Sequence, residues 1–263
     1  MIKLHMDKRI GTVVYVVEGK KTEPKIIRDI FIKILGYQVY QVNNKRDVET
    51  LKKTNDKYSK VIIITINKPQ VSTLLDNNIN DFYNSIFNVL LENKIDISSV
   101  PIFYIFDRDR LSNSLSQMKQ AMLMYDNSRD SKDFELVHGL LLVSYPSIES
   151  FYLNSNNSFE EFSTPKEIKK YVNMNYLKSL SSESLSKCVK CLIDALSLKL
   201  NLTISIDDLD NFSEKNISIL EKEEKNFLTS FKYISISLPG LICPFHPAPQ
   251  PLIYTLTTCY CLL

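Results

Sequence analysis

Tryptophan is absent from this chain, and glycine and histidine are scarce, at five and three among 263 residues. Five scattered glycines cannot build the loops that cradle dinucleotides or the phosphates of ATP, and no P-loop string occurs. His5 and His138 have no serine or cysteine partner at a strand–turn–helix elbow, so a hydrolase triad is unsupported. No apolar run approaches the roughly 20 residues of a membrane span. Met1 to Arg9 is mixed polar sequence, so neither an anchor nor a secretory leader is expected. The ending Cys261-Leu262-Leu263 puts cysteine third from last, out of register for prenylation. Five sparsely placed cysteines, an odd number, fit a reducing cytoplasm better than a disulfide framework. Extreme charge is missing too: the net value is +2, and no overall basic field announces nucleic acid.

The chain does have ordinary globular composition, 44% hydrophobic and 24% charged, enough for a sizeable core. Its elements alternate. A β-branched strand near 12–18 leads to a helix near 22–35 closed by Gly36, with Thr22 as a candidate cap and Pro24 in its first turn. Tyr37, Val39 and Val42 alternate as a second strand, and a polar helix is expected near 46–57. Val61 to Ile66 is a continuous apolar run, typical of a strand buried on both faces. Helical spacing over 78–93, a strand after Pro101, a helix over 114–126 and a strand over 136–143 follow. This order predicts an α/β fold, a mostly parallel sheet with helices on both faces.

Past about residue 150 the strand signal fades. Thr164-Pro165 reads as a capped helix start, Ser181 to Leu200 is strongly helical, and 213–229 is a weaker polar helix. The expected division is an α/β domain over 1–155, a helical extension over 156–235, and a tail over 236–263. No charged residue follows Lys232, and five of the ten prolines and three of the five cysteines fall in that last stretch. A buried terminal strand accounts for 233–238, and the remainder reads as a poorly ordered tail. Cys188-x-x-Cys191 with Cys243-x-x-His246 has the ligand count of a zinc site, but cysteines inside an amphipathic helix are ordinarily core residues. Phe82, Tyr83 and Phe87 fit helix packing, not a base-stacking platform.

Chemistry concentrates at strand ends. The first strand ends in Glu18-Gly19-Lys20-Lys21-Thr22-Glu23, and the strand after Pro101 in Asp107-Arg108-Asp109-Arg110. In an open α/β sheet the carboxyl ends of parallel strands form the ligand crevice. Carboxylates from two such ends repel unless a cation lies between them, and magnesium takes one or two carboxylates plus phosphate oxygens and waters. An acid ending a buried strand is costly unless paired, which favours a working role for Glu18. Glu23 reads first as an early-turn acid complementing the helix dipole. Asp107 and Asp109 alternate on an extended segment and emerge on one side. The opposing reading is a turn whose charges face water, balanced by Arg108 and Arg110. After the strand ending near Val143 comes Ser144-Tyr145-Pro146-Ser147-Ile148-Glu149. Glu149 is either a first-turn acid of a short helix over 147–153 or a further ligand in the crevice. Lys20, Lys21, Lys25, Arg28 and Lys33 form a basic run that is ordinarily a solvated face; beside the acids, Lys20 and Lys21 are candidate phosphate contacts.

These strings together resemble the TOPRIM domain of primases, topoisomerases and overcoming-lysogenization-defect nucleases. The set Glu18-Gly19, Asp107-x-Asp109 and Ser144-x-Pro146-x-x-Glu149 is similar to its RloB-like, abortive-infection branch. The resemblance covers roughly residues 12–155. It implies magnesium (or manganese) held by Asp107 and Asp109, Glu18 as acid/base or further ligand, and Glu149 as an additional one. It also implies cleavage of DNA or RNA in cytoplasmic antiviral defence, and a separately encoded ATPase as partner. An inert regulatory subunit and a nucleotidyltransferase are the alternative expectations.

Overall fold

Val13, Tyr15 and Val17 pack into one apolar layer while Val14 and Val16 pack into another, and all five are fully buried. A strand apolar on both sides belongs inside a sheet covered on both faces. Accordingly, β1 (Thr12–Glu18) lies between two parallel neighbours, β4 (Asp56–Ile66) and β5 (Ile102–Asp107). On the far side of β5, β6 (Leu140–Tyr145) extends the parallel block. Antiparallel strands finish both edges: β3 (Val48–Lys53) and β2 (Tyr37–Asn43) beyond β4, and β9 (Ile236–Ser237) beyond β6. The order is β2-β3-β4-β1-β5-β6-β9, and β7 (Glu161–Phe162) pairs separately with β8 (Tyr233–Ile234). This computed structural model describes residues 10–237 apart from 44–46, 67–70, 72–74, 76–78, 96–99, 109, 111, 131–139, 156–158, 176–179, 203–211, 231–232 and 235.

Helices cover both faces. One layer holds α1 (Thr22–Arg28), which continues as a π-helical stretch over Asp29–Ile34, with Ile26, Ile27, Ile30 and Phe31 buried. The same layer takes Phe151, Tyr152 and Leu153 of α4 (Ser150–Ser155), and Ile168 and Val172 of α5 (Pro165–Asn175). The opposite layer takes Tyr83, Ile86 and Leu90 of α2 (Ile79–Glu92) and Met118, Ala121 and Met122 of α3 (Leu115–Asp130). It also takes Ile219 and Leu220 of α7 (Phe212–Ser230). Between α5 and α7, α6 (Ser182–Leu200) gives Leu185 and Cys188 to the first layer and Ala195, Leu196 and Leu200 to the second. The helical segment after residue 155 therefore packs on the sheet. Among the described residues no helix is long and apolar enough to cross a membrane.

The α/β architecture expected from the sequence is the one observed. Two details differ: Ile236–Ser237, at the start of the expected tail, form edge strand β9 beside β6, and one helix is replaced. The polar helix expected over 46–57 is instead β3, the Thr54-Asn55 turn and the start of β4. Hydrophobic burial overrides helix propensity here: Val48 joins one layer while Leu51 joins the other, and period-two pairing against Ile64 and Val61 satisfies the backbone. Two capping expectations divide. Thr164 Oγ1 accepts from Glu167 N at 3.3 Å, capping α5, whereas Thr22 is already helical and Lys21 precedes it without a side-chain cap. Of the strand expected over 136–143, residues 136–139 lie outside the described residues, as does 238–263 of the tail. Cys188 and Cys191 are buried free thiols in α6; Cys243 and His246 lie outside the described residues.

Candidate functional site

Because β1, β5 and β6 run parallel, their last residues open on the same end of the sheet. Glu18 closes β1, opposite Ile66 of β4. Asp107 closes β5, opposite Ser144 of β6. The loop leaving β6 then crosses in front of β5: Ile148 N donates to Asp107 Oδ1 at 2.7 Å, and Arg108 N donates to Ser144 O at 2.8 Å. That crossing brings in Glu149, which is 5% exposed and has one carboxylate oxygen, Oε2, buried without a hydrogen-bond partner. A buried carboxylate oxygen left this way costs free energy unless something else satisfies it.

Glu23 joins the same group. Gly19 has φ +81°, a left-handed conformation that folds the chain back after β1. A side chain at position 19 would meet Glu23 Oε2 at 3.2 Å, so the glycine keeps that carboxylate where it is. Burial first, then Glu149 and Glu18, push the Glu23 carboxyl up to about 7. Asp107, with a side chain 17% exposed, is pushed well above the carboxylate range by burial and then by Glu23, Glu149 and Glu18. Four carboxyl groups therefore share one electrostatic environment. Lys169 of α5 faces them, with Nζ 3.9 Å from Asp107 Oδ2. Burial pulls the Lys169 ammonium down, but Glu149, Asp107, Glu23 and Glu18 outweigh it and raise its pKa.

Of the residues singled out from sequence, Glu18, Asp107 and Glu149 are thus brought to one crevice. Asp109 lies outside the described residues. Lys20 is held at 2.7 Å by Asp47, and Lys21 is exposed at the entrance to α1. Other members of the basic run are occupied within the fold: Lys25 and Lys33 on buried Asp29, Arg28 on Glu49. Arg108 and Arg110 do not face water. Arg108 is 1% exposed, giving one nitrogen to Asn113 O at 2.7 Å and another to Glu224 Oε2 at 3.3 Å. Arg110 reaches Glu223 at 2.5 Å and Glu224 at 2.9 Å, and lies over the Phe227 ring. Both arginines grip α7, leaving Asp107 facing the crevice. Among the described residues no three acidic, imidazole or thiol side chains converge tightly enough to form a ready metal cage.

Sequence reasoning assigned Glu23 to the helix dipole and missed Lys169. For Glu23 the available signal was Glu-Gly at a strand end, since a reversal at the glycine returns the next turn to the strand end. Lys169 carries no such signal, being one of several lysines on a helix whose docking only the fold reveals.

The molecule is an α/β protein of mixed, mostly parallel sheet, with an acidic crevice at the carboxyl ends of its central strands. No family model, curated protein or solved structure matches the chain.

Proposed function

We propose that this protein cleaves phosphodiester bonds in DNA or RNA with the help of magnesium or manganese, as the TOPRIM-like strings imply. The observation that carries the proposal is the sharing of one crevice by Glu18, Glu23, Asp107 and Glu149, with Glu149 Oε2 buried and unpartnered. An all-oxygen donor set with an orphaned carboxylate oxygen fits a hard divalent cation. Asp107 and Glu149 would hold the ion, with Glu18 and Asp109 as further donors. Such an ion, when bound, polarises a phosphate oxygen and makes a water more acidic. Glu23, with its carboxyl near 7, is able to take or give a proton at neutral pH. Lys169 faces the same opening and would donate to a non-bridging phosphate oxygen, as would Lys21 at its rim. Ile148 N orients Asp107. Antiviral defence and a separately encoded ATPase partner rest on the resemblance alone.

The test is a panel of single- and double-stranded DNA and RNA incubated with purified protein, with magnesium, with manganese and with chelator. Cleavage should require the ion and fall by about 100-fold or more in Asp107→Ala. Undiminished cleavage by that variant rejects the assignment. One observation favours a second reading, an inert regulatory module: Lys169 already supplies the crevice with a positive charge. In that case calorimetry finds no magnesium uptake by the wild type, and Asp109→Asn changes nothing.

A further inference from the structure

The opposite end of the sheet carries a second surface with different chemistry. The β2 strand is exposed over most of its length, and the β3–β4 turn rises beside it. Between them lies an open groove of about 650 Å³, lined by Val39, Tyr40, Lys52, Lys53, Lys57 and Tyr58. Tyr40 and Tyr58 are 61% and 60% exposed and Val39 is 49% exposed, a concentration of apolar surface that usually marks a contact site. Each tyrosine already carries a lysine on its ring: Lys52 Nζ is 3.0 Å from the Tyr40 centroid, and Lys57 Nζ is 5.1 Å from that of Tyr58.

The charge is one-sided. Asp56 is the acid lining the groove, and both of its oxygens serve the turn itself, accepting from Tyr58 N at 2.9 Å and Ser59 Oγ at 2.6 Å. Lys52 of β3 also stands directly opposite Lys60 of β4, a like-charge cross-strand pair that an anion would relieve. Exposed aromatic faces interleaved with ammonium groups are what an unpaired base and its phosphate require together.

We propose that this corner is a docking platform for single-stranded nucleic acid, with Tyr40 and Tyr58 stacking bases and Lys52, Lys53 and Lys57 meeting the backbone. A duplex keeps its base faces covered and cannot use the tyrosines. A second copy of the chain is disfavoured by charge, because pairing this corner with itself would set these lysines against their counterparts. The platform is separate from the acidic crevice. Tyr58 begins where β4 enters the sheet, whereas Ile66 beside Glu18 lies at its other end, about 26 Å away at strand rise. It also stands independently of the crevice's chemistry.

The experiment is fluorescence anisotropy of a labelled oligonucleotide of mixed sequence, single-stranded and as its duplex, against the full chain in chelator. Working without divalent ion makes the result independent of whether the crevice cleaves. Single-stranded probe should bind more tightly than duplex. Tyr40→Ala with Tyr58→Ala should weaken it by about tenfold or more, and Tyr40→Phe with Tyr58→Phe should restore most of the loss. Lys52→Gln and Lys57→Gln should each shallow the plot of log affinity against log salt by about 0.7. Lys187→Gln, a charge removal on α6, should change neither. Equal binding by the alanine pair, or a preference for duplex, overturns the proposal. Sedimentation showing a dimer that the alanine pair dissolves overturns it as well, and assigns the surface to self-association.

Discussion

Glu23 shows how one carboxyl can report on its neighbours. Its proton is held more tightly in the folded chain, where the carboxyl titrates at about 7, than in the unfolded chain, where it titrates at 4.5. The native state therefore binds the extra proton between those values, and stability declines as pH rises through that window. Below 4.5 the contribution is complete; above 7 the fold carries a partly buried charge facing Glu149 and Glu18. Asp107 shifts in the same direction and deepens the decline. Thermal unfolding should accordingly give a lower midpoint at about pH 8 than at about pH 5. Glu23→Gln should flatten the difference, and magnesium should restore stability at the higher pH only. A wild-type midpoint unchanged by magnesium at about pH 8 contradicts a cation-binding crevice.

Glu149 makes the complementary case at the same scale. Its Oε2 is buried without a partner, a cost the fold carries for the site. Glu149→Gln removes the negative charge that presses on Asp107 and Glu23. Without divalent ion, the variant should melt a few degrees higher than the wild type, by about 1 kcal/mol of stability. In the same protein cleavage should fall by about 100-fold. Stability rising while activity falls separates a working ligand from a first-turn acid of α4, for which both would change little.

At the scale of elements, α7 is fastened to the loop after β5 by charge. The Arg110 side chain is 8% exposed and the Glu223 side chain fully buried, so neither charge has water to fall back on. Burial raises the Glu223 carboxyl, and the pull of Arg110 and Arg108 offsets only part of that rise. Removing one partner from such a pair strands the other, at a cost of about 3–5 kcal/mol; replacing both with apolar groups costs far less. Arg110→Met should therefore lower the denaturant midpoint sharply, and Arg110→Met with Glu223→Leu should recover much of it. Additive losses in that double-mutant cycle would show the pair to be uncoupled. The opposing reading of the sequence, a solvated turn in which these arginines balance the aspartates, fails because both arginines are drawn to α7 instead. Their partners lie 113 and 116 residues further along the chain, a separation that no local pattern encodes.

The hairpin between β2 and β4 was hidden for a related reason. Charged residues at 46, 47, 49, 52, 53, 56 and 57 gave 46–57 the composition of a solvated helix. Its strand character is carried by Val48, Thr50 and Leu51, which are buried only because β4 lies alongside. By contrast the parallel strands were legible, since Val13–Val17, Val61–Ile64 and Ile102–Phe106 are continuous apolar runs whatever surrounds them. The strand-end acids were legible with them, because a parallel sheet exposes its carboxyl ends as a matter of topology. Leu51→Ala tests the hairpin directly. As a fully buried strand residue it should cost about 2–5 kcal/mol, while Lys52→Ala beside it should cost less than about 0.5 kcal/mol.

Across the whole molecule, α6 decides whether the helical region can be treated as an appendage. Its first half lies in the layer with α1 and α4, and its second half in the layer with α2 and α3. A helix shared between both layers cannot leave without opening the core on each side of the sheet. Cys188 and Cys191 make this measurable. Cys188 is fully buried and Cys191 nearly so, and burial pushes the Cys191 thiol up to about 12. Asn154 of α4 donates to Cys191 Sγ at 3.6 Å, tying α6 to the loop system that carries Glu149. Neither thiol should react until the fold opens. In a chain with Cys243, Cys259 and Cys261 changed to serine, thiol-reagent labelling should proceed at the rate set by global unfolding and accelerate in parallel with Leu51→Ala. Fast labelling insensitive to that distant substitution would show that α6 opens by itself, and that the two layers are not joined through it.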